Sequence, residues 1–303
     1  MRKMRNLIAE RRATRLSRRA AVTRVAGVTA TLAMTASGLG RRAVAVSSSS
    51  FAITPEGTLM SNTTPEAVPV TAVLVHGAFA DASNWSGVIP MLKAAGVAVE
   101  APANPLRGIT HDADYIASVT SQIPGPVVLV GHSYGGAVIT SAGSRADNVR
   151  GLVYVGAFIP DEGETLQGLA EQATDSKVFP ALRPSQYPNG AEEPGVEFTL
   201  DPGMFHDIFC ADLPAALAEV MAVSQRPLSG VAFGEPTQHP AWRSLPTWAV
   251  VSPSDFIIGP AGERQMAERA EATITEVDAS HAMMISQPRV VADVILDAVN
   301  AVS

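Results

Sequence analysis

The chain has 303 residues, 47% of them hydrophobic, enough to bury a sizeable core and unlike a collagen, a coiled coil or a disordered chain. Its formal charge of −7 is unevenly spread: residues 1–45 hold eleven Lys or Arg against Glu10 alone, leaving 11 basic and 28 acidic residues in the rest, a balance of −17. A body so acidic repels nucleic acid and anionic membrane surfaces, so neither is expected as a partner.

Residues 1–45 have the layout of an export signal. A long cationic start is followed by a mildly apolar run from Ala20 to Gly40 and by the small-residue site Ala43-Val44-Ala45, after which cleavage is expected. Arg18-Arg19, just ahead of the apolar run, resembles a twin-arginine signal, so the chain is expected to be exported from the cytoplasm. The run contains Arg24 and too little bulk for a stable span of ~20 apolar residues, so no membrane anchor is expected. Residues 46–69, with SSSS and TPEGTLMSNTTPE, read as a disordered linker. Cys210 is the single cysteine, which rules out an intramolecular disulfide; it reads as a small buried hydrophobe.

From Val70 to Ser303 short β-rich runs alternate with helical patterns. TAVLV (71–75), VAVEA (97–101), VVLV (127–130), LVYVGA (152–157), TWAVV (247–251) and TITEV (273–277) are too short for helices. Between them, Ile116, Val119 and Ile123 share one helical face, as do Val291, Val294, Ile295 and Ala298 near the C-terminus. The alternation predicts an α/β domain with a mostly parallel sheet covered on both faces. Residues 160–246 break the pattern: they hold no convincing core strand, and amphipathic pieces such as FHDIFCADLPAALAEVMAVS predict a helical lid over the carboxyl edge of the sheet.

Gly131-His132-Ser133-Tyr134-Gly135 fits G-x-S-x-G, a weak pattern when it stands alone. Here it directly follows an apolar strand and directly precedes the helical pattern GAVITSAG, the strand–turn–helix setting of a nucleophile elbow. A serine hydroxyl is inert until a base takes its proton, so a histidine and a carboxylate are required downstream, the acid first. His281 lies just past TITEV at a strand's carboxyl end, whereas His206 and His239 fall within the lid. Asp255, in the loop beyond TWAVV, is the candidate acid; Asp278 is too near His281 in sequence, and Asp161 is the fallback. An oxyanion hole is expected from the N–H groups of Ala78, after His76-Gly77, and of Tyr134. His76 reads as a packing and hydrogen-bonding residue rather than a base. Phe79, Trp85, Met283 and Met284 are candidates for an apolar substrate pocket. No metal-ligand cluster is evident.

Taken together, VHGAFADASNW, GHSYGG, SPSD and SHAMM, in this order and separation, resemble the α/β-hydrolase superfamily, specifically the small-esterase branch that includes plant methyl-ester esterases and hydroxynitrile lyases. The resemblance spans about Val70 to Ser303, with the lid the least alike. It implies an eight-stranded, mostly parallel sheet, cofactor-free serine hydrolysis, and the roles already read for Ser133, Asp255, His281, Ala78 and Tyr134; with the apolar pocket candidates, the expected partner is a small apolar ester. Dehalogenases and epoxide hydrolases of this fold carry Asp where Ser133 stands, and hydroxynitrile lyases carry a lysine where this chain has Ala282, so those chemistries are disfavoured. The alternatives to an esterase are a lactonase or C–C bond hydrolase using the same three residues, and a non-catalytic ligand receptor on the same fold.

Overall fold

The computed structural model describes residues 68–303. The expected export signal and nearly all of the expected linker therefore lie outside the described residues. The strands in chain order are β1 (Thr71–Val75), β2 (Ala98–Glu100), β3 (Val127–Ser133), β4 (Val149–Ala157), β5 (Leu182–Tyr187), β6 (Gly195–Leu200), β7 (Leu228–Ser229), β8 (Thr247–Val251) and β9 (Thr273–Glu276). Six of them form one parallel sheet in the order β2-β1-β3-β4-β8-β9, and each begins or ends within three residues of a run read from the sequence.

The central strands are apolar on both faces because both faces are covered. Val73, Val75, Leu129, Leu152 and Tyr154 point into one core, and the alternate residues Ala72, Leu74, Val128, Val130, Val153 and Val155 into another. The second core is closed by α1 (Ile89–Ala94), through Leu92, and by the C-terminal helix, through Val291, Ile295 and Ala298. The first is closed by α2 (Ile109–Ser121) and α3 (Tyr134–Ala142). The buried face of α2 is Ile109, Asp112, Ala113, Ile116, Ala117 and Thr120, so Val119, expected on that face, sits beside it.

Two expectations are corrected. Among the described residues the main sheet has six strands rather than eight. The lid is also not purely helical. Besides α4 (Leu166–Gln172), α5 (Pro202–Phe209) and α6 (Ala215–Val223), residues 160–246 contain a separate antiparallel sheet in the order β5-β6-β7. Most residues of β5 are exposed, and Pro184 lies within it, so this hairpin is suited to the solvent-facing insertion and not to a layer between helices. Two helices of the insertion, α4 and α5, start on ordinary caps. Thr165 accepts the Gly168 N–H, and Asp201 accepts the Gly203 N–H ahead of Pro202. The chain then returns to the sheet through β8, followed by α7 (Pro260–Arg269), β9 and α8 (Pro288–Val302). No helix among the described residues is long and apolar enough to cross a membrane.

Candidate active site

β3 ends at Ser133 and α3 begins at Tyr134, with no residue between them. The turn is possible because Ser133 takes φ +54° and ψ −123°, a left-handed conformation that costs a non-glycine residue ~1–3 kcal/mol. Small neighbours permit the sharp geometry. A Cβ on Gly135 would lie 2.4 Å from the Val75 carbonyl oxygen, and one on Gly77 would lie 2.6 Å from Cβ of Ser133. The loop after β1 is thus pressed against the serine. Ser133 is 5% exposed, whereas His132 before it is fully buried.

Asp255 follows β8 and His281 follows β9, and the structure brings them together. His281 Nδ1 lies 2.7 Å from Asp255 Oδ2, with both side chains fully buried. The other oxygen, Oδ1, accepts N–H bonds from Ile257 at 2.9 Å and Ile258 at 3.2 Å. A carboxylate held this way fixes the proton of His281 on Nδ1 and leaves the lone pair on Nε2. Nε2 is buried and has no hydrogen-bond partner among the described residues. The fallback acid, Asp161, pairs instead with Arg243 at 2.6 Å, and Asp278 accepts the Ser254 hydroxyl at 3.0 Å.

The serine and histidine segments are joined through His132. Its Nε2 lies 3.0 Å from the His281 carbonyl oxygen, to which it donates, and the two imidazole rings are 4.6 Å apart. Burial holds His132 well below the usual imidazole pKa, so it is neutral. His76 is neutral too, its pKa lowered to about 4, chiefly by burial. Its Nδ1 donates to the Gly77 carbonyl at 2.9 Å and its Nε2 accepts the Asn104 N–H at 3.0 Å, which leaves no nitrogen free to act as a base.

Ala78 and Tyr134 both line the cavity that contains Ser133. The Phe79 N–H is bonded to the Arg226 carbonyl at 3.0 Å, whereas the Ala78 N–H has no backbone partner among the described residues. Tyr134 opens α3, where a helix N–H has no intrahelical acceptor. Its hydroxyl donates to Asp112 at 2.8 Å, anchoring the first turn.

Of the four expected pocket residues, Phe79 lines this cavity. Trp85, Met283 and Met284 do not: they are fully buried in the core on the opposite face of the sheet, packed with Leu74, Val130 and Ile295. The walls come instead from Phe158 and Ile257, just past β4 and β8, and from the insertion, through Leu166, Val178, Leu228 and Phe233. Phe158 and Ile257 were open to the same sheet-edge argument that finds Asp255. Cys210 is buried, its thiol pushed up to about 12 mainly by desolvation, as suits an inert core residue. Among the described residues no group of three or more His, Cys, Asp or Glu is placed to hold a metal ion.

Comparison with known proteins shows the family of the chain. A model of the alpha/beta hydrolase family matches residues 72–294. The pyrethroid hydrolase of Sphingobium wenxiniae is 26% identical over 250 residues, covering 76% of this chain and 87% of that protein. The carbendazim hydrolyzing esterase of Nocardioides sp. (strain SG-4G) is 34% identical over 119 residues, which span 35% of this chain and 49% of that protein. The crystal structure of polyneuridine aldehyde esterase superposes with a TM-score of 0.65 at 24% identity, over 76% of this chain and 99% of that one, a likeness of fold.

Proposed function

The chain belongs to the alpha/beta hydrolase family, and on that footing we propose that it is a carboxylic ester hydrolase in which Ser133 is the nucleophile, His281 the base and Asp255 the orienting acid. The observation that carries the reading is the buried, unpartnered Nε2 of His281, whose opposite nitrogen is tied to Asp255. Such an atom is a lone pair kept free for a proton. Ester-hydrolysing names among the relatives support the same reaction class.

In the first step His281 Nε2 takes the proton from Ser133 as its oxygen bonds to the ester carbonyl carbon. The carbonyl oxygen becomes an oxyanion, held by the N–H groups of Ala78 and Tyr134. When the tetrahedral adduct collapses, the C–O bond to the alcohol breaks and His281 gives that alcohol the proton. Water then repeats the two transfers on the acyl-enzyme, releasing the acid and restoring Ser133. The cavity walls carry no charged side chain, which favours an uncharged, apolar acyl group. Export of the folded chain through the signal in residues 1–45 belongs to the same proposal and rests on the Arg18-Arg19 pair and the Ala43-Val44-Ala45 site.

The test is labelling with a fluorophosphonate probe, followed by peptide mapping and by turnover of p-nitrophenyl esters. A single label on Ser133, lost together with turnover in Ser133→Ala, is the expected result. A label elsewhere, or full activity in Ser133→Ala, would overturn the assignment.

A further inference from the structure

The cavity at Ser133 is small. It offers about 30 Å3, and since one water-sized group needs ~10–15 Å3, it has room for roughly two to three such groups. A second cavity of about 100 Å3 lies on the other side of its wall. Among the described residues Phe158 is the only one that lines both. The rest of the wall alternates. α4 gives Leu166 and Ala170 to the inner cavity and Leu169 and Gln172 to the outer one; Ile257 faces inward and its neighbour Ile258 outward.

The outer cavity has a buried apolar floor, made by Phe158, Ile258 and Met266, and an exposed polar rim. Its one arginine offers no free cation. Arg269 is bound on two nitrogens by Glu164, at 2.6 and 2.8 Å, and also donates to the Ile159 carbonyl at 2.8 Å. A charged ligand end therefore finds no partner there, whereas an alkyl chain finds apolar surface.

Building on the ester-hydrolase reading above, we propose that Phe158 is the specificity-determining residue for acyl length: its ring closes the inner cavity on short acyl groups and separates it from an outer chamber shaped for the far end of a longer uncharged chain. The backbone of Phe158 is fixed independently of its ring, since its N–H donates to the Ser133 carbonyl at 3.2 Å. Replacing the side chain should therefore remove the partition and keep the elbow.

The experiment uses the purified full chain with p-nitrophenyl acetate, butyrate and octanoate, read as the octanoate-to-acetate ratio of kcat/KM. In the wild type the ratio should be low, with the fall setting in beyond butyrate. Phe158→Ala should raise it on the order of tenfold, as expected when a few methylenes gain a place to be buried. Phe158→Leu, a milder change, should move the ratio the same way by a smaller factor. Adding Ala173→Phe, which fills only the outer chamber, should return the ratio of Phe158→Ala toward the wild-type value, and by itself should leave the wild-type ratio where it was. Acetate turnover with an unmoved ratio in both Phe158 variants would overturn the role of Phe158 alone. Absence of acetate turnover by the wild-type chain would remove the ester reading and this proposal with it.

Discussion

Asp212, in the insertion, binds Ser280, the residue before His281, twice: it accepts the Ser280 N–H at 3.0 Å and the Ser280 hydroxyl. On the far side of the histidine, the Ala282 N–H donates to the Phe209 carbonyl at 3.0 Å, and the Phe209 ring meets the imidazole edge-on at 5.0 Å. The insertion thus grips the backbone on both sides of the proposed base. Asp212→Ala should lower kcat by about ten- to a hundredfold with little change in KM, because a misplaced base slows proton transfer without emptying the pocket. Steady-state kinetics on a short ester, with the rate of fluorophosphonate labelling as a second readout, checks this. An unchanged labelling rate would show that the grip is dispensable.

Asp255→Asn should retain the fold, since an amide oxygen can still accept the N–H groups of Ile257 and Ile258. It should cut kcat by roughly 10³–10⁴-fold by favouring the wrong imidazole tautomer. The loss should remain smaller than in Ser133→Ala, where the nucleophile itself is gone. Equal losses in the two variants would argue that Asp255 does more than orient.

Glu263, in the first turn of α7, is buried; its Oε2 accepts the Ser252 N–H at 3.2 Å and its Oε1 has no partner among the described residues. Burial, and next the facing Asp255 carboxylate, hold its pKa well above the usual carboxylate range, against smaller opposing effects of the Ser252 N–H and Arg264. In the unfolded chain Glu gives up its proton near pH ~4.3, so between that pH and the raised folded value the unfolded state binds fewer protons. Stability should therefore fall as pH rises through that window, by up to ~1.4 kcal/mol per pH unit from this group, and level off above it. Glu263→Gln should remove this negative contribution, so that the wild type loses stability relative to the variant as pH rises from 5 to 8 in urea titrations; a difference between the two that does not change with pH would place the charge elsewhere.

Changing Arg18 and Arg19 together to Lys should block export and leave cytoplasmic ester turnover intact. Fractionation of cells expressing the full chain, with activity measured in each fraction, decides it. Unchanged secretion would remove the twin-arginine assignment.

The six main strands were legible because each is a short β-rich run bounded by turn residues. The placing of the candidate residues Ser133, Asp255 and His281 at one edge of the sheet was legible because each ends or follows such a run. The pocket was not, because sequence proximity to that edge does not say which face a side chain takes. Trp85, Met283 and Met284 sit near the right loops and point into the opposite core. β5 was hidden by its polar, exposed composition, although the alternation of Val196, Phe198 and Leu200 in β6 was a readable period-2 signal. Nothing in the sequence showed that replacing the predicted lid would disturb the proposed catalytic residues. The bonds from Asp212 and Phe209 to the His281 loop show that such a replacement removes part of what holds the proposed base.

The two neutral histidines packed behind the serine have a cost in acid. In the unfolded chain each imidazole takes up a proton as pH drops below ~6.5, whereas in the folded chain His76 resists until about pH 4 and His132 until well below the usual value. Their contribution to stability is therefore whole above ~6.5 and is lost as pH falls through the folded values, each at up to ~1.4 kcal/mol per pH unit. Proton uptake on unfolding makes mild acidity a denaturant acting from inside the protein, and it falls on the segment that presents Ser133. Such an enzyme would be confined to near-neutral surroundings by its own scaffold.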